Sequence, residues 1–122
     1  MDINRHKSQG KYRLSGYHPG AIVVNHLTYN QSIIITPDQL IDDWEPQTVK
    51  AISKKHLAQL IALKPDIILI GTGPDHAFLP ESLLMTCYDA DIPVEMMSTE
   101  KACWLYHILI EEQRQVVAAL LP

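Results

Sequence analysis

The chain has 122 residues, 47% apolar and 20% charged, with a formal charge of −4 at pH 7. That length suits one domain, expected to span residues 1–122 and to bury roughly two-thirds of its unfolded surface, and the balance of residues argues against disorder. The acidic excess, with no aromatic residues interleaving the Lys50, Lys54 and Lys55 group, argues against nucleic acid as a partner. No apolar run approaches the ~20 residues that span a bilayer.

The opening stretch, Met1-Asp2-Ile3-Asn4-Arg5-His6-Lys7, lacks the apolar segment of a secretory signal, so the expected compartment is the cytoplasm. Tyr12 to Leu14 then alternates apolar and polar, and Gly16-Tyr17-His18-Pro19-Gly20 supplies turn chemistry. The β-branched runs Ala21 to Val24 and Ile33 to Thr36 predict the two arms of a hairpin, ended by Pro37, which cannot donate to a ladder. Leu40 to Pro46 reads as irregular. Trp44 within it is expected to be a buried lid over the hairpin edge, whereas an exposed Trp44 would mark a partner site.

Ser53 can cap a helix whose Leu57, Leu60 and Ile61 follow helical spacing, and Pro65 ends it. The run Ile67-Ile68-Leu69-Ile70 is apolar without alternation, as in a strand buried on both faces, and stops at Gly71-Thr72-Gly73. Pro80 suits a first helical turn, with Leu83, Leu84 and Cys87 as its buried stripe. Ile92 to Met97 predicts a short strand. Ser98 or Thr99 then caps a helix to about Glu112, with Ala102, Leu105 and Leu109 inward, and Gln115 to Leu121 closes the sheet. Strands and helices alternating in this way predict an α/β fold of three layers, β+α/β/α, with a mixed central sheet and an N-terminal β-hairpin flank.

Several of these segments together resemble one small domain family of bacteria, archaea and mitochondria. It includes assembly factor 3 of mitochondrial respiratory complex I and an adipogenesis-associated protein. The residues that carry the resemblance are Pro65-Asp66 with Ile67 to Gly73, then Pro80 and Ile92 to Met97, then Thr99, Ala102-Cys103, Tyr106, Leu109, Glu112, Arg114 and Ala118 to Pro122, with Trp44 before them. The resemblance implies the same three-layer fold, protein partners during assembly for the mitochondrial members, and no established catalytic activity. The chain departs from the family pattern at His107, where Asn is usual, and at Gln113, where Gly is usual. It also departs in Asp75-His76-Ala77-Phe78, which lacks an arginine just before the phenylalanine.

Candidate chemistry concentrates after the central strand. Gly71-Thr72-Gly73 is either a tight structural turn or a ligand or partner loop whose N–H groups cradle an anion; Pro74 removes one donor. Asp75 and His76 form at most an acid–base pair, with no nucleophile beside them. His107 and Glu111 share a helix face but lack the further ligands that a metal needs. Cys103 lies in the first turns of a helix, where a thiol can be activated, yet its neighbours point to packing; neither it nor Cys87 belongs to a CxxC motif. Glu112 and Arg114 bracket a turn, either as an ion pair that fixes it or with Arg114 free for recognition; the glycine usual there in the family implies positive φ, which Gln113 would adopt with some strain unless the turn differs.

The expected function is therefore a non-enzymatic protein-interaction or assembly factor, a monomer or weak homodimer without metal or organic cofactor. Its contact surface is expected at Gly71, Thr72, Gly73, Asp75, His76 and Phe78 with Thr99 and Arg114. The alternative is a small-molecule or anion-binding domain, or a weak enzyme, that uses the same strand-end loop.

Overall fold

A computed structural model describes residues 11–122; the N-terminal stretch read for a leader lies outside the described residues. Among the described residues eight strands form two sheets. The first sheet is an antiparallel meander of β1 (Leu14–His18), β2 (Ala21–Val24) and β3 (Leu27–Tyr29). The second contains β4 (Ile33–Ile35), β5 (Leu40–Ile41), β6 (Ile67–Gly71), β7 (Val94–Met97) and β8 (Val116–Leu120), in the order β5-β4-β8-β6-β7. Strands β6, β7 and β8 are parallel, while β4 runs antiparallel to β8 and β5, so the central sheet is mixed as expected.

The front of the chain differs from its sequence reading. Ala21–Val24 pairs with Leu14–His18 and Leu27–Tyr29, and Ile33–Ile35 joins the central sheet instead of closing a hairpin. A two-residue turn makes this possible. Asn25 and His26 both have positive φ, 51° and 70°, the requirement of the hairpin turns that match strand twist. The Asn25 side chain accepts from the Arg13 N–H at 2.8 Å and so holds the turn against the start of β1. The three isoleucines of β4 are buried on both faces, an environment that a flanking hairpin cannot supply.

Three α-helices cover the central sheet: α1 (Lys54–Ile61), α2 (Glu81–Tyr88) and α3 (Thr99–Glu111). Helix α3 and the meander cover one face, where Ile22, Val24, Leu69, Tyr106 and Leu120 meet. On the other face the α1 and α2 residues Leu57, Leu60 and Cys87 pack against Ile68, Ile70 and Val117. The result is the three-layer arrangement expected from the sequence. Trp44 is buried as expected, in the second of these cores with Ile34 of β4, and its Nε1 donates to Gln59 Oε1 at 3.1 Å.

Helix ends follow local chemistry. Ser53 and His56 form a capping box in which the ring takes the place of the usual carboxylate or amide, and Nδ1 accepts from the Ser53 N–H at 2.9 Å. That bond leaves the proton on Nε2, which donates to Glu45 Oε1 at 2.6 Å. At the far end of α3, Gln113 has φ 62°. The N–H of Gln113 reaches the Ile110 carbonyl at 2.9 Å and that of Arg114 reaches Leu109 at 3.1 Å. These backbone bonds close the turn; no Glu112–Arg114 ion pair forms among the described residues.

Candidate functional site at the strand ends

The parallel pairing sets Gly71 beside Met97 on one side and beside Leu120 on the other, so the carboxyl ends of β6, β7 and β8 converge. Open α/β sheets place ligands at such ends. Ser98 follows β7 directly and caps α3, its side chain accepting from the Lys101 N–H. Thr99, fully buried, therefore stands between all three strand ends.

Thr99 ties them together. Its Oγ1 accepts from the Gly73 N–H at 2.8 Å and donates to the Leu121 carbonyl at 2.7 Å, while its N–H donates to the Gly73 carbonyl at 2.9 Å. The packing is tight enough to require glycine at position 71. A Cβ there would lie 2.8 Å from Thr99 Oγ1 and 2.9 Å from Thr99 Cα. Gly73 has φ +93°, a conformation that side chains disfavour.

The amides of the turn are used within the fold. The Thr72 N–H is committed to the Met97 carbonyl at 2.8 Å and the Gly73 N–H to Thr99, and Pro74 has none to offer. No cradle of free donors is left for an anion along Thr72-Gly73-Pro74. Thr72 Oγ1 extends the scaffold by donating to the Asp75 carbonyl at 2.6 Å and accepting from the Ala77 N–H at 3.2 Å. The loop so fixed carries Phe78, which is 75% exposed, and its ring stacks on His76 with centroids 4.4 Å apart.

Beside the loop runs an open groove of about 340 Å³, between Gln47–Lys50 on one wall and Pro74, Asp75 and Ala77 on the other, with Thr72, Leu121 and Pro122 completing it. Gly71, Thr72, Gly73, Asp75, His76, Phe78 and Thr99 are thus gathered at one end of the sheet. Arg114 is not among them. It precedes β8, at the amino end of the parallel strands, more than one strand length or roughly 15–20 Å from Gly71. Sequence reasoning missed the Gln47–Lys50 wall, which lies beyond the segment read as irregular and carries no motif. It also missed Trp104, 67% exposed on α3.

Cys103, Cys87 and His107 are held within the fold. Cys103 is buried, and burial, with the nearby Glu100 carboxylate, pushes its thiol up to about 12. Burial raises Cys87 as well. His107 Nε2 donates to the Leu14 carbonyl at 2.8 Å and joins α3 to β1. Among the described residues no three His, Cys, Asp or Glu side chains converge as metal ligands, and no hydrogen bond links the Asp75 and His76 side chains.

The profile of the family described as a protein of unknown function (DUF498/DUF598) matches residues 14–121. The chain belongs to this family. It is 29% identical to the "13 kDa major membrane protein" of Francisella tularensis, across 95% of each chain. It is 28% identical to "NADH dehydrogenase [ubiquinone] 1 alpha subcomplex assembly factor 3" of Xenopus tropicalis over 78% of this chain, and spans 59% of that longer protein. A Bordetella parapertussis crystal structure superposes with a TM-score of 0.86 at 31% identity, covering 93% of this chain and 97% of that one. Among the described residues no helix is long and apolar enough to cross a membrane.

Proposed function

We propose that this domain acts by binding another protein at the strand-end mouth, in an interaction or assembly role, and catalyses no reaction of its own. Phe78 carries the reading: a bare aromatic ring, 75% exposed, on a loop already held by Thr72 and Thr99. Full burial of such a ring contributes about 1.5–3 kcal/mol. Because the loop is ordered beforehand, little of that gain is spent on fixing it. Likeness to a protein named as an assembly factor supports the same reading.

The rival is a small-molecule or anion site at the same loop. The groove of about 340 Å³ favours it, being near the lower bound of ordinary ligand pockets. The committed Thr72 and Gly73 amides weigh against it. A cytoplasmic location and a monomeric or weakly dimeric state belong to the proposal; fractionation of cells that express the protein tests the location against the Francisella relative's name. The function itself is tested by co-purification at native expression, with wild type and Phe78→Asp compared. A specific protein recovered by wild type and lost by the variant is expected. If metabolites or simple anions instead raise the melting temperature, and Thr48→Trp, at an exposed position on the groove wall, abolishes the shift while remaining folded, the small-molecule reading replaces it.

A further inference from the structure

Helix α3 turns a second surface to solvent. At about 100° per residue, Ala102, Cys103, Tyr106, Leu109 and Ile110 fall on the side that enters the core, where all five are buried. Trp104 and Ile108 fall on the opposite side, four residues apart, so they form one ridge. Trp104 is 67% exposed and Ile108 half-buried. Glu100 and Glu111 lie on one flank of this ridge, and Lys101 and Glu112 on the other; all four are exposed. Arg13 shares a cleft of about 40 Å³ with His107 and Glu111 at its edge. His107 is already committed to Leu14. Carboxylates outnumber cations on the face, as they do in the whole chain.

We propose that this ridge docks an amphipathic helix of a partner protein, with an apolar stripe flanked by lysine or arginine. An i, i+4 ridge fits the groove between the ridges of another helix, which selects a helix over an extended segment. The flanking carboxylates select basic neighbours for that stripe, and the face of an indole attracts a cation placed over it. The same charges disfavour two other occupants. A second copy would bring like charges together, and an anionic bilayer attracts helices whose polar face is basic. Trp104 and Ile108 stand away from Phe78, which is on the loop into α2, whose buried residues pack on the other face of the central sheet; only the Glu100 end of the ridge, next to Thr99, approaches the mouth.

Fluorescence anisotropy with two designed helical peptides tests the proposal. Both carry the same leucine stripe; one is flanked by lysine and arginine, the other by glutamate. Wild type is expected to bind the basic peptide and not the acidic one. Trp104→Ala, at an exposed position, should keep the wild-type melting temperature and bind at least about tenfold more weakly. Paired Glu100→Lys and Glu111→Lys substitutions should reverse the preference. The proposal is overturned if wild type binds neither peptide, or if Trp104→Ala binds the basic one as tightly as wild type. Trp104-dependent sedimentation with phosphatidylglycerol vesicles, or a concentration-dependent dimer lost in Trp104→Ala, overturns it as well. Loss of Phe78-dependent co-purification leaves these outcomes untouched, so the two surfaces are tested separately.

Discussion

Replacing Thr99 with valine removes one oxygen and almost no volume, so the change isolates the hydrogen bonds that join the strand ends. The hydroxyl is fully buried, accepts from the Gly73 N–H at 2.8 Å and donates to the Leu121 carbonyl at 2.7 Å. Valine leaves both groups dry and unpartnered. Each such orphan costs about 1–3 kcal/mol, and with partial relaxation the pair should cost about 2–4 kcal/mol. For a chain of this length that lowers the melting temperature by roughly 6–20 °C. Thr99→Ser keeps the hydroxyl and loses only a methyl group, about 1 kcal/mol. Urea unfolding of the three proteins gives the energies, and hydrogen exchange of the Gly73 amide locates them. Exchange at Gly73 should accelerate in Thr99→Val and stay slow in Thr99→Ser. The reasoning fails if valine costs no more than serine, or if Gly73 protection is the same in all three proteins.

Gln113 holds φ 62° at the end of α3, a conformation that costs a side chain roughly 1–2 kcal/mol, so Gln113→Gly should stabilise the fold by about 0.5–1 kcal/mol in urea unfolding. The Cys103 thiol, pushed up to about 12 from an ordinary 9.0, stays neutral in the native state, so iodoacetamide at pH 8 should label it only after denaturant is added. Because the unfolded thiol ionises first, its contribution to stability is present below pH 9 and declines as pH rises toward 12. The Glu45 carboxyl is held below its ordinary 4.5, first by the His56 Nε2–H and then by Lys55. Its contribution is therefore present above pH 4.5 and is lost as pH falls through the depressed value, so Glu45→Gln should flatten the acid limb of the stability profile.

The second half of the chain was legible because its signals are local. Pro65-Asp66, four apolar residues and a glycine delimit β6, and the Ser98-Thr99 pair announces α3 through cap chemistry that needs no distant partner, with Ser98 the cap in the structure. The positive φ at Gln113 was visible only through the glycine that the family usually has there. The front half was harder. Asn25-His26 makes the tight turn that is usually marked by Asn-Gly, so β2 was paired with the wrong run. An isoleucine triplet such as β4 reads equally well as a hairpin arm or an interior strand. The distinction lies in its neighbour β8, more than eighty residues later.

At the candidate site, the convergence of Gly71, Gly73 and Thr99 was legible and the use of the turn was not. The Gly73 amide is satisfied by a side chain 26 positions away, which no local pattern records. The wall from Gln47 to Lys50 contains no motif and gains meaning only when the fold brings it to Asp75. Trp104 was within reach of the sequence, because helical spacing from Ala102, Tyr106 and Leu109 already places it outward.

The most direct measurement for the central claim is photo-crosslinking in living cells with a benzophenone amino acid at position 78. The same reagent at position 27 serves as control, since Leu27 is 62% exposed and lies on β3, in the other sheet from the strands that end at the mouth. A discrete adduct with another protein from position 78, absent from position 27, is the predicted result. No adduct at position 78, or the same products from both positions, would contradict a mouth built to hold a protein partner.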